Sequence, residues 1–402
     1  MTNSFEPPRV LLIGPDPAAV SGISTHLAQL LQSRLSAHFR LSYFAIGSAG
    51  KREHLLARLK RLLASPVDLW RTIHILRPQI SHINTSLLHT SFWRDALYVA
   101  VSKACGVKVV LQIHGGSFST FCDRGLLRRL LSRILHYVDV VVVLSKREQI
   151  GCAPFQVRSL VTIPNAIDLA EYENLPPKQY RGLSTVRLAY IGRLADDKGI
   201  YETIEAMAIL GREGITSITF TVAGEGEEES RLRDWAAKLG MTDRVCFVGA
   251  VFGDKKIDFW READVFLLPT YCPEGLPYAL LESLASGTPV VTTRAGAIAE
   301  AVDAGVEGVF VEPRSASAVA SALRQLLQDR LGLERMSAAC RVRSQLCYGI
   351  ERLAAQFSQT YSDVMQRPNT TATPMSEEPR SNQADASRPP DCRRLARTTS
   401  RH

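Results

Sequence analysis

Arg9-Val-Leu-Leu-Ile-Gly14 and, after a turn-rich stretch, Gly22-Ile-Ser-Thr-His-Leu-Ala-Gln-Leu-Leu31 are the two segments that decide the fold. The first is a short apolar run, the pattern of a buried strand, and the second carries apolar residues at helical spacing. Strand, loop and helix in that order open an α/β sheet covered by helices on both faces. The signal recurs. Further strands are expected at Ile80–Ile83, Val107–Ile113, Val138–Leu144 and Val161–Ile163, with helical segments between them. Residues 175–184, with Pro176-Pro177 among mixed polar residues, read as a linker. A second series follows at Arg187–Ile191, Ser217–Val222, Val245–Val248, Val265–Leu268, Val290–Thr293 and Gly308–Val311. Two doubly wound α/β domains, 1–174 and 185–345, are therefore expected, with a cleft at the carboxyl ends of their strands. Residues 346–366 read as a final helix returning to the first domain, and 367–402 as a disordered tail without apolar periodicity.

The 402 residues are 46% hydrophobic and 22% charged, the composition of a soluble globular protein with room for two domains. No apolar run approaches the ~20 residues of a membrane-spanning helix, and Met1–Arg9 is polar and Pro-containing, unlike a signal peptide, so a cytoplasmic location is expected. Eight cysteines without a CxxC pair or a repeated His/Cys spacing read as reduced thiols. The net charge of +8 is uneven. Residues 1–180 hold 21 Lys+Arg against 11 Asp+Glu, the remainder 27 against 29. That imbalance implies an anionic partner for the first half, such as a membrane surface, a phosphorylated lipid or an acidic polymer. Lys51–Leu63 and Gly125–Leu135 each pair an apolar face with a Lys/Arg face. This suits a helix lying in a membrane interface, and equally a surface helix packed on its own domain. Nucleic-acid binding rests on positive charge alone, with no recognition module or aromatic platform, and is not expected.

Candidate chemistry concentrates in the second half. Glu274-Gly-Leu-Pro-Tyr-Ala-Leu-Leu-Glu282 sets two carboxylates eight positions apart across a loop-to-helix junction, with a helix beginning near Pro277 that is apolar nearly all round. The free N–H groups after Gly275 suit an anion, and the carboxylates suit hydroxyls on either side of it. The alternative is that Glu274 only tops the helix while Glu282 pairs with an arginine. Tyr190-Ile-Gly-Arg-Leu-Ala-Asp-Asp-Lys-Gly199 places Arg193 and Lys198 just beyond a buried strand, two cations that suit a diphosphate and the charge growing on a leaving group. Val222-Ala-Gly-Glu-Gly226 is a second glycine loop after a strand. Val20-Ser-Gly22 precedes a helix without the GxGxxG spacing of a dinucleotide site. His114-Gly-Gly-Ser-Phe118 puts a histidine at the cleft edge of the first domain, where the glycines permit close backbone approach.

Gly192-Arg-Leu with Lys198-Gly199, the Glu274-to-Glu282 pair, Gly287-Thr-Pro-Val-Val and Asn165-Ala-Ile-Asp168 together resemble the retaining GT-B glycosyltransferases grouped as family 4. The likeness runs from about Arg9 to about Tyr361. It implies a GT-B fold, two Rossmann-like domains facing a central cleft, with a nucleotide-sugar held mainly by the second domain and the acceptor by the first. By the same likeness Arg193 and Lys198 would bind the diphosphate and Glu274 the sugar hydroxyls. Gly275 and Leu276 would offer backbone N–H groups, Glu282 would hold the ribose and His114 would stand near the donor sugar. Gly22, Gly192 and Pro277 complete the donor-binding set. The family's first loop often carries Gly-Gly, where this chain has Ser21 before Gly22.

The resemblance implies a retaining hexosyl transfer from a UDP- or GDP-sugar to a glycan or lipid-linked glycan, in bacterial-type cell-surface polysaccharide or glycolipid synthesis such as lipopolysaccharide or exopolysaccharide. The inner face of the cytoplasmic membrane is the expected place. No enzyme nucleophile or cofactor is needed. With no Asp-x-Asp motif, no catalytic metal is expected either. A non-catalytic nucleotide-sugar-binding or scaffold protein and a GT-B-fold sugar-nucleotide epimerase are the rivals. The first would bind donor without turnover, and the second would convert it with no acceptor present.

Overall fold

The computed structural model describes residues 6–19, 21–47, 54–122 and 124–368. Among the described residues twelve strands form two six-stranded sheets, with every strand pairing parallel. The first contains β1 (Arg9–Pro15), β2 (Arg40–Ile46), β3 (Ile80–Thr85), β4 (Lys108–Ile113), β5 (Val140–Val143) and β6 (Leu160–Thr162), in spatial order 2-1-3-4-5-6. The second contains β7 (Val186–Ile191), β8 (Ile218–Ala223), β9 (Val245–Gly249), β10 (Val265–Leu268), β11 (Val290–Thr292) and β12 (Gly308–Phe310), in order 12-11-10-7-8-9. Each order reverses once, between β1 and β3 in the first sheet and between β7 and β10 in the second. Connections leave in opposite directions at such a point, which opens a crevice beyond the strand ends.

The central strands are apolar on both sides because both sides are covered. On one face of the first sheet, Val10, Leu12, Val110 and Val142 meet Leu27 and Leu30 of helix Gly22–Gln32 and Phe357, Tyr361 and Val364 of helix Ile350–Gln366. The last helix thus closes the core of the first sheet. On the other face, Leu11, Ile13, Leu111 and Val141 meet helices Leu55–Leu76, His89–Ala104 and Gly125–Tyr137 through Leu69, Ile73, Tyr98, Val99, Leu131 and Leu135. A separate core fills the second domain around Phe220, Trp260, Phe266 and Leu281.

Several boundaries differ from the sequence reading. β2 was not expected at all. It is an edge strand with most positions half-exposed, so it lacks the continuous apolar run of its neighbours. The first basic helix runs Leu55–Leu76, through Pro66, well beyond Leu63; Lys51 and Arg52 lie outside the described residues. Leu346 and Cys347 belong to helix Arg330–Cys347, and the final helix starts at Ile350 after Gly349. The stretch 175–184 is docked. Lys178 Nζ donates to the carbonyls of Trp260, Arg261 and Ala263, and Tyr180 is fully buried with its hydroxyl donating to Asp264 O. The tail from 369 lies outside the described residues.

Candidate active site

The loops after β7 and β10 flank the crevice of the second sheet, and they carry the expected cations and carboxylate. After β7 the backbone turns at Gly192, and Tyr190 Oη donates to Arg193 O at 2.8 Å. A Cβ at Gly224, in the loop after β8, would strike Gly192 O, and one at Gly226 would strike Leu194 O. The glycines of Val222–Gly226 thus let two protein loops pack. Arg193 is exposed, whereas Lys198 is 9% exposed, at the end of the 3₁₀ turn Asp196–Lys198.

Lys198 Nζ donates to Glu274 Oε1 at 2.5 Å, with Asp197 Oδ1 3.8 Å away and Thr270 Oγ1 3.4 Å from the same Glu274 oxygen. The two charged groups are 76 positions apart in sequence. They meet because β7 and β10 are neighbours. The Glu274 loop is held from behind, since Ala297 N donates to Glu274 O at 3.0 Å and a Cβ at Gly296 (φ +56) would strike that same oxygen. Helix Tyr278–Ser286 then starts with Pro277 at its N-cap and no side-chain cap, leaving its first N–H groups to an anion. Leu276 is buried and Gly275 half-buried at this start.

Glu282 lies four residues into the helix, 7% exposed, with Lys256 Nζ at 2.8 Å on Oε1 and Trp260 Nε1 at 3.1 Å on Oε2. Its basic partner is a lysine, not an arginine. A carboxylate has about four acceptor directions, so capacity for hydroxyl donors remains.

The first domain reaches the same place. A Cβ at Gly115 would stand 3.1 Å from Gly275 N, so the backbones of the two domains touch beside His114. A Cβ at Gly22 would stand 3.9 Å from the Tyr278 ring, bringing the start of helix Gly22–Gln32 opposite the start of helix Tyr278–Ser286. Asn165 Nδ2 donates to Leu276 O at 2.8 Å, tying the segment before the second domain to that loop. His114 Nε2 is 2.9 Å from Asn84 Oδ1, while the Asn84 amide nitrogen donates to Ile13 O and His82 O. With the amide nitrogen so engaged, Oδ1 must accept, and His114 carries its proton on Nε2. Burial, aided by His26 with ring centroids 4.8 Å apart and by His82, holds His114 well below the usual histidine range. The ring is neutral, and its Nδ1 finds no partner among the described residues.

Two carboxylates were missed by the sequence reading. Glu300, from the second domain, accepts from Lys146 N at 2.9 Å and Arg147 N at 2.7 Å, capping helix Lys146–Cys152 of the first domain. Glu148 in that helix's first turn accepts from Leu144 N at 2.7 Å, and its own N–H donates to Ser145 Oγ at 3.2 Å. Ser145-x-x-Glu148 is a capping-box pattern, the one available signal. Nothing in sequence points to Glu300 as its cross-domain partner.

Residues 174–343 match the family described as Glycosyl transferases group 1, and residues 20–171 match Glycosyltransferase Family 4. The chain belongs to the GT-B glycosyltransferases of the family 4 type. It is 30% identical over 275 residues to a glycogen synthase of Mycobacterium tuberculosis, a match spanning 65% of this chain and 65% of that protein. A GDP-mannose-dependent alpha-(1-6)-phosphatidylinositol monomannoside mannosyltransferase of the same organism is 30% identical over 228 residues, 53% of this chain and 59% of the relative. Among solved structures, Anabaena HepE in complex with UDP superimposes with a TM-score of 0.71 at 17% identity, covering 88% of this chain and all of that one.

Proposed function

We propose that this protein is a retaining, metal-independent hexosyltransferase that takes a UDP- or GDP-sugar as donor and a glycan or lipid-linked glycan as acceptor. One observation carries the reading: Lys198 and Glu274 converge at the uncapped start of helix Tyr278–Ser286, against the His114-Gly115 loop of the other domain. A diphosphate next to a sugar offers oxygens to the cation and the helix start, and hydroxyls to the carboxylate.

Arg193 and Lys198 would stabilise charge on the departing diphosphate, assisted by the N–H groups from Gly275 onward, in the role a metal takes elsewhere. Glu274 would accept from sugar hydroxyls and Glu282 from ribose hydroxyls, while His114, held by Asn84, would flank the donor sugar at the start of the Gly115 loop. Gly22 and Gly192 would let backbone approach the donor, and Leu276 and Pro277 would lead the Glu274 loop into the helix start. The acceptor oxygen attacks on the face from which the diphosphate leaves, its proton passing to the leaving oxygen, so the anomeric configuration is kept without an enzyme nucleophile. The UDP complex of HepE supports a uridine donor, and the name of the mannosyltransferase supports a guanosine donor and a lipid-borne acceptor. The basic first half fits an acceptor presented at the inner face of the cytoplasmic membrane, in cell-surface polysaccharide or glycolipid synthesis.

The test is nucleotide release and thermal shift across a panel of UDP- and GDP-sugars, for wild type, Lys198→Ala and Glu274→Ala. Stabilisation by one nucleotide family with turnover lost in both variants supports the reading. Binding without turnover under any acceptor supports the scaffold alternative, and conversion of donor to an epimer without acceptor supports the epimerase.

A further inference from the structure

The three helices on the outer face of the first sheet form one layer, and its solvent side is neither polar nor neutral. On helix Leu55–Leu76, Leu63 is 69% exposed and Val67 and Trp70 are each 49% exposed. Their spacing of four and three residues lines them along a single stripe. On helix Gly125–Tyr137, Leu126 is 79% exposed, with Leu127 and Leu130 also in water. Between them, helix His89–Ala104 exposes Leu97. These residues are not needed by the core. Each helix already buries a separate face, through Leu69 and Ile73, through Tyr98 and Val99, and through Leu131 and Leu135.

The charges beside these apolar residues have one predominant sign. Lys60 and Arg71 flank the first stripe, and Arg129 and Arg133 are exposed along the third helix, whereas Asp68, 3.6 Å from Arg71, is the acidic residue within the first stripe. Leucines and a tryptophan that gain by leaving water, ringed by cations, complement a surface that is apolar below and anionic at its head groups. A nucleic acid would match only the charges, and a second copy of this basic layer would oppose like charge with like. No helix among the described residues is long and apolar enough to cross a membrane, so contact would be in the plane of the interface.

We propose that this helical layer is a docking face for an anionic lipid bilayer, with Leu63, Val67, Trp70, Leu126 and Leu130 inserted among the head groups and Lys60, Arg71, Arg129 and Arg133 paired with lipid phosphates. The proposal deepens the reading of a membrane-presented acceptor but stands on its own residues. The layer covers a sheet face, whereas the cleft opens beyond the strand ends. A docked molecule therefore keeps its donor site free.

The experiment is co-sedimentation with phosphatidylglycerol-containing vesicles and with pure phosphatidylcholine vesicles, alongside tryptophan emission of wild type and Trp70→Phe. Binding confined to the anionic vesicles, with a blue shift that Trp70→Phe abolishes, is the expected result. Neutralising Arg129→Gln and Arg133→Gln together should weaken partitioning about thirtyfold, at the usual worth of a cation near an anionic surface. Leu126→Gln with Leu130→Gln should weaken it in the same direction. Nucleotide release from a soluble donor should not change in any of these variants, which separates failure of this proposal from failure of the catalytic reading. No binding to anionic vesicles, or binding that the substitutions leave unchanged, would overturn it. So would a wild-type dimer that Leu126→Gln and Leu130→Gln convert to monomer, since the face would then be covered by a second copy.

Discussion

Replacing Glu148 by Gln should remove a pH dependence built into the contact between the domains. Glu148 is 8% exposed at the start of helix Lys146–Cys152, whose first N–H groups are capped by Glu300 from across the cleft. Burial, with the charge of Glu300 adding to it, lifts the Glu148 carboxyl from 4.5 to about 7. The folded state therefore keeps a proton that the unfolded chain releases. This contribution is fully present below about pH 4.5 and is lost as pH rises through about 7. A difference of roughly 2.5, at about 1.36 kcal/mol per pH unit, sets a ceiling of ~3 kcal/mol. Glutamine retains an acceptor for Leu144 N and never ionises. In melting curves taken across this range, wild type should lose stability relative to Glu148→Gln from about pH 4.5 to about pH 7, with the gap constant above that. Small-angle scattering should show wild type more open above about pH 7 than at mildly acidic pH, and the variant unchanged. Parallel stability curves for the two proteins would refute the reasoning.

Lys198→Ala should lower kcat/KM by about 10²–10³-fold, the usual loss on removing a donor to developing negative charge. It should also cost on the order of 1–3 kcal/mol of stability by leaving Glu274 without its partner; adding Glu274→Gln should restore the denaturation midpoint but not nucleotide release. Asn84→Asp places a carboxylate 2.9 Å from His114 Nε2 and should raise the histidine, so that ring-nitrogen NMR and the pH profile of kcat/KM gain a titration step that wild type lacks. Gly296→Ala should push the Glu274 loop off its support and reduce donor turnover at least about tenfold, with circular dichroism unchanged. Arg343→Met breaks a buried pair, since Arg343 is 1% exposed with Glu307 at 3.0 Å and Asp303 at 2.6 Å. It should destabilise the second domain by ~3–5 kcal/mol in denaturant titrations, much of which Glu307→Leu should recover.

Strands that are buried on both faces were legible, because short continuous apolar runs such as Val140–Val143 and Val265–Leu268 mark a doubly covered strand. β2 was not, because an edge strand keeps polar residues such as Arg40 and Ser42 on a half-exposed surface. The helix continues past Leu63 through Pro66, where proline costs a hydrogen bond that tertiary packing at Leu69 and Ile73 offsets. At the site, residue types were readable while partnerships were not. Spacing gave Lys198 and Glu274 as separate candidates, and only the adjacency of β7 and β10 brings them together. Lys256 on Glu282, Asn84 on His114 and Glu300 on the opposite helix start each join elements far apart in sequence, where no local pattern records the contact.

Calorimetric titration of the wild-type protein and Lys198→Ala with UDP and with GDP tests the central claim most directly. One of the two nucleotides should bind wild type with one site per chain, and the variant should bind it at least about tenfold more weakly, in line with loss of a charge-assisted contact to phosphate. If neither nucleotide binds, or if Lys198→Ala binds as wild type does, the nucleotide-sugar site is not where β7 and β10 place it.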